Sequence, residues 1–159
     1  ALEHRLADTA PGEIVETCAP AQAIAAQVAD RIARRGGAAL IIDYGDWRSR
    51  GDTLQALRDH AFADPLAAPG QADLTAHVDF EALAAAAPCA VSALVPQGAL
   101  LERLGITARA QALAKGLNGP ALQAHVAAHR RLTHPEEMGR VFKALALFPP
   151  GLTPPPGFA

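Results

Sequence analysis

The sequence has only two cysteines, Cys18 and Cys89, far apart and outside any CxxC pair. That excludes a disulfide framework and a zinc knuckle, and leaves the expectation of two buried, reduced thiols in a cytoplasmic protein. No apolar run approaches the roughly 20 residues of a membrane-spanning helix, so no membrane partner is expected. Basic residues do not gather into a stripe. Arg34-Arg35 and Arg130-Arg131 are isolated pairs in a chain of net charge −2, each expected at a helix end, where positive charge complements the macrodipole. No nucleic-acid partner is expected either. The chain holds no GxGxxG or Walker sequence to cradle a nucleotide phosphate and no GxSxG elbow. It opens at Ala1-Leu2-Glu3-His4-Arg5, with neither a signal peptide nor an initiator Met, a start expected of a piece cut from something longer.

What the chain does hold is alanine. Half of its residues are hydrophobic, but much of that half is alanine, which adds little burial per residue. The core therefore falls to relatively few Leu, Ile, Val and Phe side chains. At 159 residues the length fits one domain, here with a thin core that a partner surface would help. After the turn Pro11-Gly12, residues 13–18 read as a short extended segment. Pro20 opens a helix whose apolar stripe is Ile24, Val28 and Ile32. Arg31, Arg34 and Arg35 crowd its last turn, and Gly36-Gly37 stop it. The apolar run 38–42 follows at once, without polar alternation, as in a parallel strand buried on both faces. It ends in Asp43-Tyr44-Gly45-Asp46, and helix, glycine turn, strand and polar edge together form an α/β unit.

Residues 46–78 read as a long excursion, with a short helix from Asp52 to Arg58 and then an ordered covering loop punctuated by Asp64-Pro65 and Pro69-Gly70. Helices are expected over 80–87, 99–104, 107–117 and 120–132, with a helical turn at 135–139. Strands are expected over 89–95 and 141–148. From residue 149 onward the chain is a proline-rich tail without core residues.

In an open α/β sheet, ligands bind outside the carboxyl ends of the strands. Asp43 occupies such an end, where it accepts hydrogen bonds from a substrate, orients a base, or merely caps the turn. His60, Asp64, Asp73 and His77 share the excursion; His and carboxylate together suit acid–base work, and equally suit a loop pinned by side-chain hydrogen bonds. His125 and His129 lie four apart on one helix, but no third ligand is near and no HExxH is present, so no metal is expected.

The segments Gly37-Ala38-Ala39-Leu40-Ile41-Ile42-Asp43-Tyr44-Gly45, Gly51-Asp52-Thr53-Leu54, Asp64-Pro65-Leu66, Pro69-Gly70, Asp73-Leu74-Thr75-Ala76-His77-Val78-Asp79-Phe80 and Met138-Gly139-Arg140-Val141-Phe142-Lys143 resemble, in order and spacing, the MidA family of S-adenosylmethionine-dependent methyltransferases. Mitochondrial members of that family assist assembly of respiratory complex I. The resemblance runs from about residue 12 to residue 148, and the segment over 73–80 is its most specific piece.

The resemblance implies an α/β fold: the C-terminal portion of a class I (Rossmann-like) methyltransferase sheet, with its last strand antiparallel and helices added. Residues 1–148 would be that half-domain and 149–159 the tail. The run 38–42 becomes the fifth strand, with 89–95 and 141–148 the last two. The implied mitochondrial activity is methylation of an arginine on a protein substrate, with relatives in a bacterial cytoplasm or in mitochondria. The family's glycine-rich cofactor turn and the acidic residue after the second strand would precede Ala1. S-adenosylmethionine is therefore expected to bind the longer parent and not this chain, which is expected to be inactive alone. A substrate-side role carries over to Asp43, Tyr44 and His77 as catalytic residues and to Asp73, Thr75 and Asp79 as substrate-binding ones. Asp43, Asp73 or Asp79 would hold a guanidinium, and His77 would accept its proton. The alternative is a non-enzymatic protein-binding or assembly module. A fifth strand lacking its fourth-strand neighbour exposes unpaired backbone and is expected to self-associate. Both readings place Leu40 to Ile42 in an interior parallel strand that delivers Asp43 and Tyr44 to a pocket mouth, with residues 73–80 folded across it.

Overall fold

The computed structural model describes residues 3–158. A 3-10 turn at Glu3–Ala7 leads through an extended strap into α1, Ala19–Arg35. Pro20 lies in its first turn, and Gly36 ends it at φ 76°, donating its N–H to the Ile32 carbonyl. The stripe that α1 buries is Ala25, Ala29 and Ile32, while Ile24 and Val28 face outward. Small side chains at 25 and 29 let the helix approach the sheet, where Ala29 and Ile32 pack on Leu147.

The strands are β1 (Ala39–Asp46), β2 (Gln55–Arg58), β3 (Ala61–Ala63), β4 (Asp73–Thr75), β5 (Val78–Asp79), β6 (Ala90–Val91), β7 (Val95–Pro96) and β8 (Phe142–Phe148). The remaining helices are α2 (Phe80–Ala86), α3 (Gln97–Arg103), α4 (Ile106–Ala114), α5 (Gly119–Thr133) and α6 (Met138–Val141). The main sheet runs β5-β1-β8-β6, with β7 also on β8. Its centre is β8, antiparallel to β1 from Ala39↔Leu147 to Tyr44↔Phe142, as the resemblance implies for the last strand. Alternate β8 side chains feed two cores: Ala144 and Ala146 meet Val95, Leu100 and Phe158, whereas Leu147 meets α1.

Several expectations are corrected. β1 is not buried on both faces. Ala39 and Ile41 pack under α1, while Leu40 and Ile42 are 53% and 47% exposed. Nor is it an interior parallel strand. Its long partner is antiparallel, and on its other edge, among the described residues, only Gly45 and Asp46 find a parallel neighbour, in β5. Residues 52–58 do not form a helix. Asp59 and His60 both adopt positive φ (52° and 63°), the backbone of a type I′ turn. That turn folds β2 onto β3 as a hairpin, which β4 joins into a small separate sheet. The strand expected over 89–95 is broken at Ser92, whose hydroxyl accepts the Ala146 N–H at 2.9 Å in place of a ladder carbonyl. The strap 13–18 pairs in neither sheet. Cys18 is exposed rather than buried, and Cys89 is half-buried, its thiol pKa pushed up by burial.

The tail is not free of core residues. Phe158 is 6% exposed, and the Gly157 carbonyl accepts from Arg103 at 2.9 Å. Phe158→Ala is expected to cost about 3 kcal/mol of unfolding free energy, measurable by denaturant titration. A change below about 0.5 kcal/mol would mark the tail as detachable.

Candidate functional site

The carboxyl end of β1 is where the two halves of the sequence motif meet. Gly45 pairs with Val78 and Asp46 with Asp79, and the Trp47 carbonyl accepts the Glu81 N–H at 2.8 Å. This splice lays β5 across the end of β1. It sets the His77 ring edge-to-face with Tyr44, centroids 5.8 Å apart, while Tyr44 packs edge-to-face on Phe142 at 5.5 Å. Asp43 uses one carboxylate oxygen to accept the N–H of the adjacent Tyr44 at 2.8 Å, inside β1 and not at a turn.

The backbone at His77 is fixed from a distance. Its N–H donates to the hydroxyl oxygen of buried Thr53 at 2.9 Å. Glu16, in the strap, accepts the Thr53 and Leu54 N–H groups at 3.0 Å each and also the Thr53 hydroxyl. Thr53 entered the sequence reading only within the Gly51–Leu54 motif and Glu16 only within the strap, and their pairing was missed because residues 37 positions apart give no local signal. The Thr75 and Asp73 positions of β4 pair with Gln55 and Leu57. Among the described residues, neither of those two side chains has a hydrogen-bond partner, and Asp73 is exposed.

Asp79 is differently placed from the other candidates. One oxygen caps α2 by accepting the Ala82 N–H at 3.0 Å, and the other accepts from Arg5 at 2.7 Å. Arg5 is 3% exposed and also donates to Asp8 at 3.2 Å and to the Ser49 carbonyl at 3.1 Å. Around it, Arg48 holds Glu81 in a two-pronged pair, both bonds 2.8 Å, and Arg50 reaches Asp8 at 3.1 Å. The Arg48 hydrogen bond is the main reason the Glu81 carboxyl sits below its ordinary pKa. At Asp8 partial burial pulls upward, but the hydrogen bonds and charges of Arg5 and Arg50 outweigh it, and the carboxyl again sits low.

A cleft of about 450 Å³ opens beside this joint, between the strap, the start of α1, residues 76–79 and α2. Glu16, His77 and Asp79 line it, with Arg5, Ala21 and Leu83. Of the segment 73–80 expected to fold across a pocket, residues 76–79 line this cleft, and Asp73 and Thr75 do not. Asp43 and Tyr44 are outside its lining, so the expectation that β1 delivers them to the mouth is corrected: β5 does the delivering, and His77 is the residue shared by the ring pair and the cleft.

The donor set does not suit S-adenosylmethionine by itself. Among the described residues no buried side-chain polar atom lacks a partner. The one glycine at the strand end, Gly45, has its open side filled by the Val78 backbone rather than left as a cradle. No group of three potential metal ligands occurs among the described residues. His125 and His129 are occupied in tying α5 to α4, through the Ala110 carbonyl at 2.9 Å and the Thr107 hydroxyl at 3.0 Å.

Residues 1–97 match the family described as "Putative S-adenosyl-L-methionine-dependent methyltransferase". The mitochondrial protein arginine methyltransferase NDUFAF7 of Rattus norvegicus is 40% identical over 140 residues, 86% of this chain and 32% of the relative. Its Danio rerio counterpart is 42% identical over 132 residues, 81% of this chain and 31% of the relative. The chain thus spans about a third of the length of these curated relatives. A Burkholderia thailandensis protein crystallised with S-adenosyl-homocysteine superposes with a TM-score of 0.69 at 28% identity, over 86% of this chain and 37% of its own. An uncharacterised protein from the same organism gives 0.71 at 29%, over 86% and 38%. With more than half its length in that match, the chain belongs to this family of S-adenosyl-L-methionine-dependent methyltransferases.

Proposed function

We propose that the chain forms the acceptor side of a protein methyltransferase and is inactive without the remainder of the catalytic domain. The observation that carries the reading is the β1–β5 splice, which fixes Tyr44 and His77 ring to ring beside an acidic-rimmed cleft. An arginine acceptor is supported by the relatives named for protein arginine methylation. Transfer of a methyl group to a guanidinium nitrogen leaves a proton to be shed, and the exposed His77 imidazole takes it. Asp73, free of internal partners, is assigned to hold the guanidinium, with Tyr44, packed against the His77 ring, shaping the approach. Asp79 serves first as cap and counter-ion; an incoming guanidinium there would compete with Arg5. The substrate partner is a protein, and the compartment in a bacterial host is the cytoplasm.

The test is calorimetric titration of S-adenosylmethionine into this chain and into a version extended to the length of the curated relatives, followed by turnover on an arginine peptide. Binding is expected only in the extended protein. There, His77→Gln should lower kcat by about a hundredfold and Asp73→Asn should raise KM. Unchanged turnover in a folded His77→Gln variant would overturn the assignment.

A second reading, a binding or assembly module, is favoured by one feature. The β1 edge beside residues 39–44 has no strand partner among the described residues, and Leu40 and Ile42 of that strand are exposed. Such an edge recruits a strand from another chain. The isolated chain is expected to self-associate through it at micromolar concentrations, seen by sedimentation. A monomer with slow amide exchange at residues 39–44 would count against this.

A further inference from the structure

His77 belongs to neither sheet. β4 ends at Thr75 in the small sheet and β5 begins at Val78 in the main one, so residues 76 and 77 bridge the two. The Tyr44 ring packs edge-to-face on the imidazole but leaves the backbone behind it to be fixed elsewhere. Thr53 does this. It is 8% exposed and lies just ahead of β2, and its hydroxyl oxygen accepts the His77 N–H at 2.9 Å. The strap comes to the same point: the Ile14 carbonyl accepts the Gly51 N–H at 2.9 Å, and Glu16, which lines the cleft as His77 does, reaches Thr53.

The direction of these bonds is forced. A backbone N–H only donates, so the Thr53 oxygen is the acceptor toward His77 and its single proton must point elsewhere. Glu16 receives it. One carboxylate oxygen accepts the Thr53 and Leu54 N–H groups at 3.0 Å each, and the other accepts the Thr53 hydroxyl. The two N–H bonds alone would fasten the strap to residues 53 and 54; the third gives the hydroxyl one orientation. A charged acceptor makes that third bond the stronger kind, and drawing the proton toward the carboxylate makes the hydroxyl oxygen a better acceptor for His77.

We propose that Glu16 and Thr53 are positioning residues for methyl transfer, a two-step relay that holds the His77 backbone so that its imidazole stands at the cleft. The inference rests on the acceptor-side reading, in which that imidazole takes the proton of the acceptor nitrogen. Both residues act through His77 and not on the acceptor. A displacement of about 1 Å at a catalytic group is enough to slow a reaction substantially, and the bridge between the sheets is where such a displacement meets least resistance.

Two variants separate the relay from simple packing. Thr53→Val keeps the shape and removes the hydroxyl. Glu16→Gln keeps an oxygen for the two N–H groups and puts an NH2 where the hydroxyl proton pointed, so it disturbs the relay without unfastening the strap. In the chain itself, NMR should show the His77 amide exchanging at least about tenfold faster in Thr53→Val, with weaker contacts between the Tyr44 and His77 rings. In the protein extended to the length of the curated relatives, Thr53→Val should lower kcat on an arginine peptide about tenfold with KM unchanged. Glu16→Gln should follow in the same direction, and Thr53→Ser, which keeps the hydroxyl, should restore most of the loss. Combined with His77→Gln, Thr53→Val should cost nothing further, because it acts through a group already gone. A harmless His77→Gln sinks the acceptor-side reading and this one with it. A damaging His77→Gln whose loss simply adds to that of Thr53→Val sinks this one alone. Unchanged amide exchange and ring contacts in both variants would also overturn it, as would a Glu16→Gln that raises KM and spares kcat, the mark of a carboxylate that holds the acceptor directly.

Discussion

Gly45→Ala is expected to be among the most damaging single substitutions in the chain. Gly45 sits at φ 149°, which residues with a Cβ rarely adopt, and a Cβ there would overlap the Val78 carbonyl oxygen and come within 2.7 Å of the Val78 nitrogen. Both obstacles are backbone, so no side-chain rotation relieves them. Either β1 or β5 must move, and the splice that aligns Asp46 with Asp79 opens. The cost is on the order of 3 kcal/mol or more. Gly51→Ala provides the comparison. Gly51 also has positive φ, 97°, but a Cβ there meets nothing within 4 Å, so only conformational strain of about 1 kcal/mol is expected. If the two substitutions prove equally costly in denaturant unfolding, the close approach of Val78 is not what demands glycine at 45. In an extended, catalytically competent protein, Gly45→Ala should also abolish turnover, because the Tyr44–His77 ring pair depends on the splice.

The same splice marks how far the sequence was readable. The helix now seen at Ala19–Arg35 and the strand after it were legible because proline, glycine and arginine punctuate them. Which side of the helix would be buried was not legible. Side-chain size pointed to Ile24, Val28 and Ile32; of these only Ile32 is buried, and beside it close packing on Leu147 selected Ala29 rather than Val28. The β2–β3 hairpin was hidden because its turn is Asp59-His60 rather than a pair containing glycine, so its left-handed backbone leaves no mark in the sequence. The break at Ser92 was equally silent, since a serine hydroxyl substituting for a ladder carbonyl does not disturb the apolar pattern around it. At the candidate site, the motif over 73–80 was identified as one unit, but it divides: Asp73 and Thr75 belong to the small sheet, while Val78 and Asp79 belong to the main one. The pairings of Glu16, Thr53 and Arg5 escaped notice because each acts on residues far away in the chain, and a single sequence carries no record of such pairs.

Replacing Arg5 by Met should be nearly as damaging as replacing Gly45, for an electrostatic reason. The guanidinium is 3% exposed and is the buried counter-ion of Asp79, 2.7 Å away. Removing it leaves that carboxylate half-buried and unmatched, at a cost on the order of 3 kcal/mol. It also frees the Ser49 carbonyl and one end of the 3-10 turn. If the loss comes from the orphaned charge, adding Asp79→Asn to Arg5→Met should recover part of it, because a neutral amide tolerates the site better. The amide oxygen can still accept the Ala82 N–H. A double variant as unstable as the sum of the two single variants would show that Arg5 and Asp79 do not act as a pair. The pH dependence provides a second readout. Asp8 and Glu81 have folded pKa values below their unfolded ones of 3.8 and 4.5, so on acidification the unfolded chain takes up their protons first. The stability they contribute is fully present above about pH 5 and drains away as pH falls through the folded values. Arg5→Met removes one of the arginines around Asp8, the one whose hydrogen bond does most to hold it low. The stability of the variant should therefore fall less steeply than that of the parent between about pH 5 and 3, while Glu81→Gln should flatten the same limb through the other carboxylate. Parallel acid limbs in all three proteins would show that this cluster of charges does not govern acid unfolding.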